Sequence, residues 1–560
     1  MLVAILAAAA ALSEPAIIDA HYTVTVEADG TAPATIRVEL RFTGDEDGQT
    51  GLDLPDFWGG ESELWRVVHD LQVSGEDAAF APATAPERRE ITHAPGAELV
   101  VRYQVVPDRS GPPRAATDDY YRPYAEPGYV HLIGHTIFAE PDRDREAGVR
   151  VDLVVPNGWA LASDLQHDGL DYTALGASVI VAGDFRVETR RVSGADIRIA
   201  MRGAIDVDDT TFMNQVETVI TGNLAYWEAE GEPYLVTVLP LEADEGWTSI
   251  GGTNLDDSFA MFVTTDADLE TLTRILAHEH THTWNIKRLG GALPGDPGDE
   301  AAGYWFSEGF TDFLTTRAGV RGGIWPAQTA LAHWNVVLAE NASSPLRDAP
   351  NAVIGEQFWQ NRDAQRLPYH RGEIFAALVD HEIRTRTGGE FDLDDVIMAM
   401  RDAADEGPAP ARFAATVLSV TGVDISGLVT RHIENGEPVE LARDTFGPCG
   451  TVETVDEPVF DYGMTGDRNE DGQFVISAVD RDGPAWPAGF RPGMVILERL
   501  EGAVGDASVD SVLRVRSEAG TQDLRYRPAT GETRRLQRII PAEGDLAANG
   551  CAARLAGLPV

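Results

Sequence analysis

The sequence predicts a multidomain α+β protein, with β-rich domains on either side of a mainly helical centre. Three observations carry this. The chain has 560 residues, too many for a single hydrophobic core. From about residue 20 to 200 apolar and polar residues alternate with period two. From about 205 to 440 the apolar period becomes helical, and short alternating runs return from about 450 to 545.

The first residues, MLVAILAAAAALSEPA, contain an apolar run from Leu2 to Leu12. It is too short to span a bilayer and has the length of a signal-peptide core, with small residues up to Ala11. Residues 1–13 are therefore expected to be a signal peptide and the protein to be exported, periplasmic or secreted; the competing assignment is a buried first strand. No other stretch is apolar and long enough for a membrane helix, so no integral membrane segment is expected after signal removal.

Residues 14–200 hold runs such as HYTVTVEADG, ATIRVELRFTG and GVRVDLVVPNGW, broken by Gly, Pro and Asp. This is β-sandwich patterning, without clustered metal ligands. In residues 201–445, TTFMNQVETVITGNLAYWEA reads as a helix and PYLVTVLPLE as a strand, and Ser258 to Thr265 reads as a second strand. Helical patterns follow, among them GEIFAALVDHEIRTRTGG and DLDDVIMAMRDAADEG. Residues 446–560 form a small β-rich module and a tail, with GQFVISAVD, GMVILERL and SVLRVRS separated by Pro/Gly-rich turns. Its ends carry both cysteines, Cys449 and Cys551, which export would allow to pair; two unpaired thiols are equally compatible with the sequence.

Composition excludes some partners. Hydrophobic content of 43% and charged content of 24% belong to a soluble globular protein. A net charge of −47 argues against nucleic acid and against anionic membrane surfaces, both of which would repel it.

The chemistry concentrates in ILAHEHTHTWNIKRL, residues 275–289. A helix turns about 100° per residue, so His278 and His282 lie roughly 40° apart on one face, while His280 points away. Asp266 or Asp268 caps the start, and Leu269, Leu272, Ile275 and Leu276 recur at helical spacing. With Glu279 between them, the two histidines make H-E-x-x-H, two zinc-binding imidazoles with a glutamate as general base. The following helical segment, YWFSEGFTDF, places Glu308 four residues before Asp312 on one face. Glu308 completes a three-ligand site that leaves a position for water, and Asp312 can accept the free ring N–H of His278. One Zn2+ per chain is expected from the ligand types, though cobalt or manganese could occupy such a site in vitro.

HEHTHTWNIKRL followed by YWFSEGFTDF resembles the glycyl aminopeptidase family, metallopeptidase family sixty-one of the gluzincin group. The pattern H-E-x-x-H-T-W-N-x-K-R is matched by His278, Glu279, His282, Thr283, Trp284, Asn285, Lys287 and Arg288. The later W-F-x-E-G-x-T-D is matched by Trp305, Phe306, Glu308, Gly309, Thr311 and Asp312. LPYHRGEIFAALVDHEIRTRTGG matches the family's Y-x-R-G and its long helix. The resemblance implies a thermolysin-like central domain and a C-terminal PDZ-like domain, for which YGMTG (462–466) and GPAWPAGFRPGMVI (483–496) are the corresponding segments. It further implies peptide substrates and a transition-state tyrosine at Tyr369, with Arg371 assisting.

The chain departs from the family at one place. Where family members resemble G-G-L-E-H, with a glutamate for the substrate's α-amine, it has Gly251, Gly252, Thr253, Asn254 and Leu255. Gly251 and Gly252 allow a substrate backbone to approach. Asn254 can accept a hydrogen bond but carries no charge. The expected activity is therefore a zinc-dependent peptidase, an aminopeptidase of broad or Gly/Ala preference. The alternatives are an endopeptidase freed by the missing glutamate, a non-catalytic peptide-binding protein, and a hydrolase of other amides or esters.

Overall fold

In a computed structural model, the described residues are 18–109, 111–114, 121–242, 249–293, 297–469, 473–502, 507, 509–546 and 548–559. The stretch read as a signal peptide lies outside them. No helix among the described residues is long and apolar enough to cross a membrane.

The N-terminal domain is built from a six-stranded sheet and two four-stranded sheets. Its first strand, Ile18–Glu27, runs antiparallel to Thr35–Thr43 and parallel to Gly148–Val154. Period-two alternation sends Tyr22, Val24 and Val26 inward, as the pleat requires. They meet Val130, Leu132, Ile180 and Ala182 from one of the smaller sheets. Strand Val179–Gly183 is buried on both faces, which explains its unbroken apolar run. Ile180 and Ala182 face the sandwich core, while Val179 and Val181 pack with Leu235, Leu239, Ala260 and Phe262 of the central domain.

That central domain contains a five-stranded sheet in the order Arg186–Val192, Ala195–Met201, Tyr234–Leu241, Ser258–Thr264, Ile250–Asn254. Two strands precede residue 201, so hydrogen bonding crosses the point at which the sequence pattern changes. Ser258–Thr264 is the strand the apolar run announces. Ile250–Asn254 is an additional, antiparallel edge strand that Gly251 and Gly252 conceal, since glycine has low β-propensity. A Cβ on Gly252 would meet the Phe259 ring at 2.4 Å, so glycine is required there for the two strands to pair.

Helix Asp209–Trp227 and helix Leu269–Thr281 pack together beside this sheet. Asp268, rather than Asp266, caps the second, accepting from Thr271 N at 2.8 Å. After Tyr304–Ser307 the chain breaks at Glu308 and resumes as helix Gly309–Arg321. The long helix Arg362–Thr387 crosses both.

At the C-terminus, Gly450–Phe460 and Ala529–Pro541 form a two-stranded ribbon. From it extends a five-stranded sheet with its own core of Ile476, Phe490, Leu513, Val515 and Tyr526. Cys449 and Cys551 are joined in a disulfide across 102 residues. Both lie in the core of the central domain.

Candidate metal centre and cleft

His278 and His282 leave their helix at its C-terminal end, where His282 is the capping residue. Their Nε2 atoms lie 3.1 Å apart, and each is 3.3 Å from Glu308 Oε2. The opposite ring nitrogens are both committed as donors. His278 Nδ1 donates to Asp312 Oδ1 at 2.8 Å, and His282 Nδ1 donates to the carbonyl of Asn285 at 2.9 Å. In the neutral rings the Nε2 atoms then carry lone pairs, and three donor atoms converge on one point. Such an arrangement suits a divalent cation, and a His2Glu set is that of a catalytic zinc site.

The field in the cluster is negative. Burial opposes charge on His278, but Asp312 and Glu308 outweigh it and hold the imidazole well above its ordinary pKa. Glu308 is held well below the usual carboxylate range: burial works against this and is overcome by His282 and His278. Glu279, beside them, is pushed up, chiefly by burial. A carboxylate with a raised pKa is a stronger base toward a neighbouring water. The ring of Tyr369 stacks on His278 with centroids 5.8 Å apart. Burial, and then the charges of Glu308, Glu279 and Asp312, raise its pKa and keep the hydroxyl protonated as a donor.

Two family profiles match the chain: M61 glycyl aminopeptidase over residues 271–354, and the peptidase M61 N-terminal domain over residues 21–181. Both profiles describe the M61 glycyl aminopeptidase family, and the first spans the H-E-x-x-H helix and the segment that carries Glu308. The chain is a metallopeptidase. Among curated proteins none matches it. Among solved structures it is similar to an aminopeptidase N family protein from Idiomarina loihiensis, with TM-score 0.68 and 16% identity, over 92% of this chain and 97% of that one. It is also similar to an M1 zinc metallopeptidase from Deinococcus radiodurans, with TM-score 0.50 and 17% identity, over 76% of this chain and 96% of that one. At these identities the likeness is one of fold.

The remaining motif residues divide between the cleft and its support. Gly251 and Gly252 lie on the edge strand, where the Tyr121 hydroxyl of the N-terminal domain donates to Gly252 O at 3.3 Å. Asn254, expected at the substrate, instead ties the edge strand to the histidine helix. Its Nδ2 donates to Glu279 O, and its Oδ1 accepts from Lys287 Nζ at 3.4 Å. Lys287, the only lysine of the chain, also donates to Leu255 O, and burial lowers its pKa against the pull of Asp256. Arg371, also expected to aid the reaction, is 4% exposed and donates through Nη2 to the carbonyls of Leu346, Arg347 and Ala349. These bonds clamp the loop before helix Asn351–Gln357 and leave that side-chain nitrogen engaged away from the donor cluster.

His280 packs between the rings of Tyr234 and Trp284, and its Nδ1 bonds Asn223 Nδ2 at 3.0 Å. Burial pulls its pKa down to about 3, so it stays neutral. Sequence reasoning gave Asn285 no task, yet it is fully buried and its Nδ2 donates to Phe306 O, Ser307 O and Thr311 Oγ1. Its own carbonyl orients His282. One residue thus sets the second histidine against the segment that carries Glu308. The available signal was an amide-bearing residue three positions after the last ligand.

Proposed function

We propose that the chain is a zinc-dependent aminopeptidase acting on peptides with small N-terminal residues such as Gly or Ala. His278, His282 and Glu308 would hold the zinc ion. When bound there, zinc lowers the pKa of a water toward neutrality and polarises a peptide carbonyl. Glu279 takes the proton from the attacking water and passes it to the leaving amine. Tyr369 donates its hydroxyl hydrogen to the developing oxyanion. Asp312 and the Asn285 carbonyl keep the two imidazoles in the tautomer that a metal requires.

The observation that carries this reading is the convergence of two Nε2 lone pairs and one carboxylate oxygen, with both Nδ1 protons already placed. Removal from the amino end is favoured by the Tyr121 contact. A Gly252 carbonyl bonded to the N-terminal domain is unavailable to an incoming backbone, which shortens the length of peptide the edge strand can pair. Export also belongs to this reading, and the Cys449–Cys551 disulfide supports it, since such bonds persist in oxidising compartments. The five-stranded C-terminal module is read as PDZ-like, a peptide-holding accessory.

The test is cleavage of a Gly- and Ala-rich peptide with a free or an acetylated N-terminus, located by mass spectrometry, with Glu279→Gln protein as the blank. Cutting of the free peptide alone, at its first bond, is expected. A chelator should abolish it and zinc restore it. Internal cuts in the acetylated peptide would replace this reading with an endopeptidase. Binding of both peptides without any cut would favour a non-catalytic peptide binder.

A further inference from the structure

We propose that Arg274 binds a substrate carboxylate on the leaving-group side of the scissile bond, so that the cleft selects short peptides bearing a negative charge there. The inference rests on the peptidase reading above and names what its cleft prefers.

Arg274 lies four residues before His278, one turn back on the same helix face and about 6 Å along the axis. It lines the same cavity of about 490 Å³ as His278, Glu279, Tyr369 and Ile250. Its guanidinium sits 4.7 Å from the ring centroid of Trp325, a buried residue. Stacking holds the group in place without using its N–H donors. Among the described residues it has no carboxylate partner. The acids that share its cavity are otherwise placed: Asp268 caps the helix through Thr271 N, Asp312 holds His278, Glu279 lies beside the metal donors, and exposed Glu270 makes no ion pair. The cavity therefore presents one unpaired arginine in a chain whose net charge of −47 repels anions elsewhere.

The orientation of a bound peptide follows from the edge strand. Its Ile250 end lines the cavity together with Arg274, whereas Asn254 is not among the lining residues. Its Asn254 end is tied to Glu279 O and Lys287, past the far end of the histidine helix. Tyr121 occupies Gly252 O between these ends. The N-terminal residue of a substrate then sits toward Gly252, and the rest of the peptide leaves toward Ile250 and Arg274. An extended chain advances about 3.3 Å per residue, so a helix offset of about 6 Å corresponds to about two residues past the bond. The C-terminal carboxylate of a tripeptide falls there, as does an Asp or Glu side chain of a longer peptide. An arginine fork accepts either.

The test is calorimetric binding to zinc-loaded Glu279→Gln protein of Ala-Ala-Ala, of its C-terminal amide, and of Ala-Ala-Asp amide. The free acid is expected to bind about tenfold or more tighter than the amide, with a ratio that shrinks as salt rises. Adding Arg274→Gln should bring the ratio to about one. Arg274→Lys, which keeps the charge without the fork, should retain part of it. Recovery of affinity by Ala-Ala-Asp amide means that any carboxylate at this distance is read; no recovery assigns the site to the tripeptide terminus. Equal binding of acid and amide, or a ratio that survives Arg274→Gln, overturns the proposal. Because no turnover is needed, a chain that cut no peptide yet showed this ratio would refute the peptidase reading and leave the role of Arg274 standing.

Discussion

Each imidazole of the proposed zinc site has its other ring nitrogen held by a partner outside the donor cluster. Asp312 fixes the proton of His278 on Nδ1, and the Asn285 carbonyl does the same for His282. Asp312→Ala should therefore weaken metal binding about 10–100-fold while leaving the fold intact, read by competition with a chromogenic chelator. Loss of affinity smaller than threefold or so would mean that packing alone orients the ring. A second residue makes stability depend on pH. Asp164 is buried, accepts from Val179 N and the Ser258 hydroxyl, and has its pKa raised by burial to about 7. Its unfolded value is near 3.9. The folded state thus binds the proton more tightly, and the stabilisation is complete below about pH 4 and disappears as pH rises through 7. The span corresponds to on the order of 4 kcal/mol. Asp164→Asn should flatten the fall in denaturation midpoint between pH 5 and 8; an unchanged slope would contradict it.

At the scale of elements, the cleft exists because two helical segments cross more closely than side chains normally allow. A Cβ on Gly309 would lie 2.3 Å from Gly372 Cα, and one on Gly372 would lie 1.9 Å from the Trp305 carbonyl. The glycines that follow Glu308 and Arg371 therefore bring Glu308 and Tyr369 together. Gly372→Ala should force the segments apart, at a cost of about 1–3 kcal/mol from overpacking, and reduce kcat by displacing Tyr369. Thermal unfolding and single-turnover rates check both halves. The edge strand is the other decisive element. Its Gly-Gly sequence has no strand signature, and it becomes a strand because Ser258–Thr264 supplies a buried partner to pair with.

Over the whole molecule, the C-terminal segment is fastened at both ends. Ribbon residue Ile539 and tail residues Cys551 and Leu555 enter the central core, and Arg321 Nε donates to Ala556 O at 3.0 Å. Arg554 lies 3.4 Å from Asp380, a buried carboxylate that also meets Arg317 at 3.2 Å. The disulfide closes the loop between these anchors, and its chain-entropy contribution is about 4–5 kcal/mol. Reduction, or the Cys449→Ser/Cys551→Ser double variant, should lower the unfolding midpoint, with the metal centre retained in the folded protein. Calorimetry with and without reductant measures it, and an unchanged Tm would show that the tail's noncovalent contacts suffice.

Much of the site was legible from local sequence. H-E-x-x-H at helical spacing puts His278 and His282 on one face, because 3.6-residue periodicity is a property of the backbone. Four-residue spacing likewise puts Glu308 near Asp312, and alternation in residues 18–105 marks strands whatever they pack against. The sequence by itself thus determined which residues make up the candidate metal cluster, that Glu279 lies beside it, and the α or β character of each region. Tertiary structure alone decided that Asn254 and Arg371 support the cleft, that Asn285 aligns His282, that residues 186–201 join the central sheet, and that the two cysteines meet. Each of these depends on contacts between residues far apart in the chain, and the propensity and spacing read from a sequence report only on near neighbours.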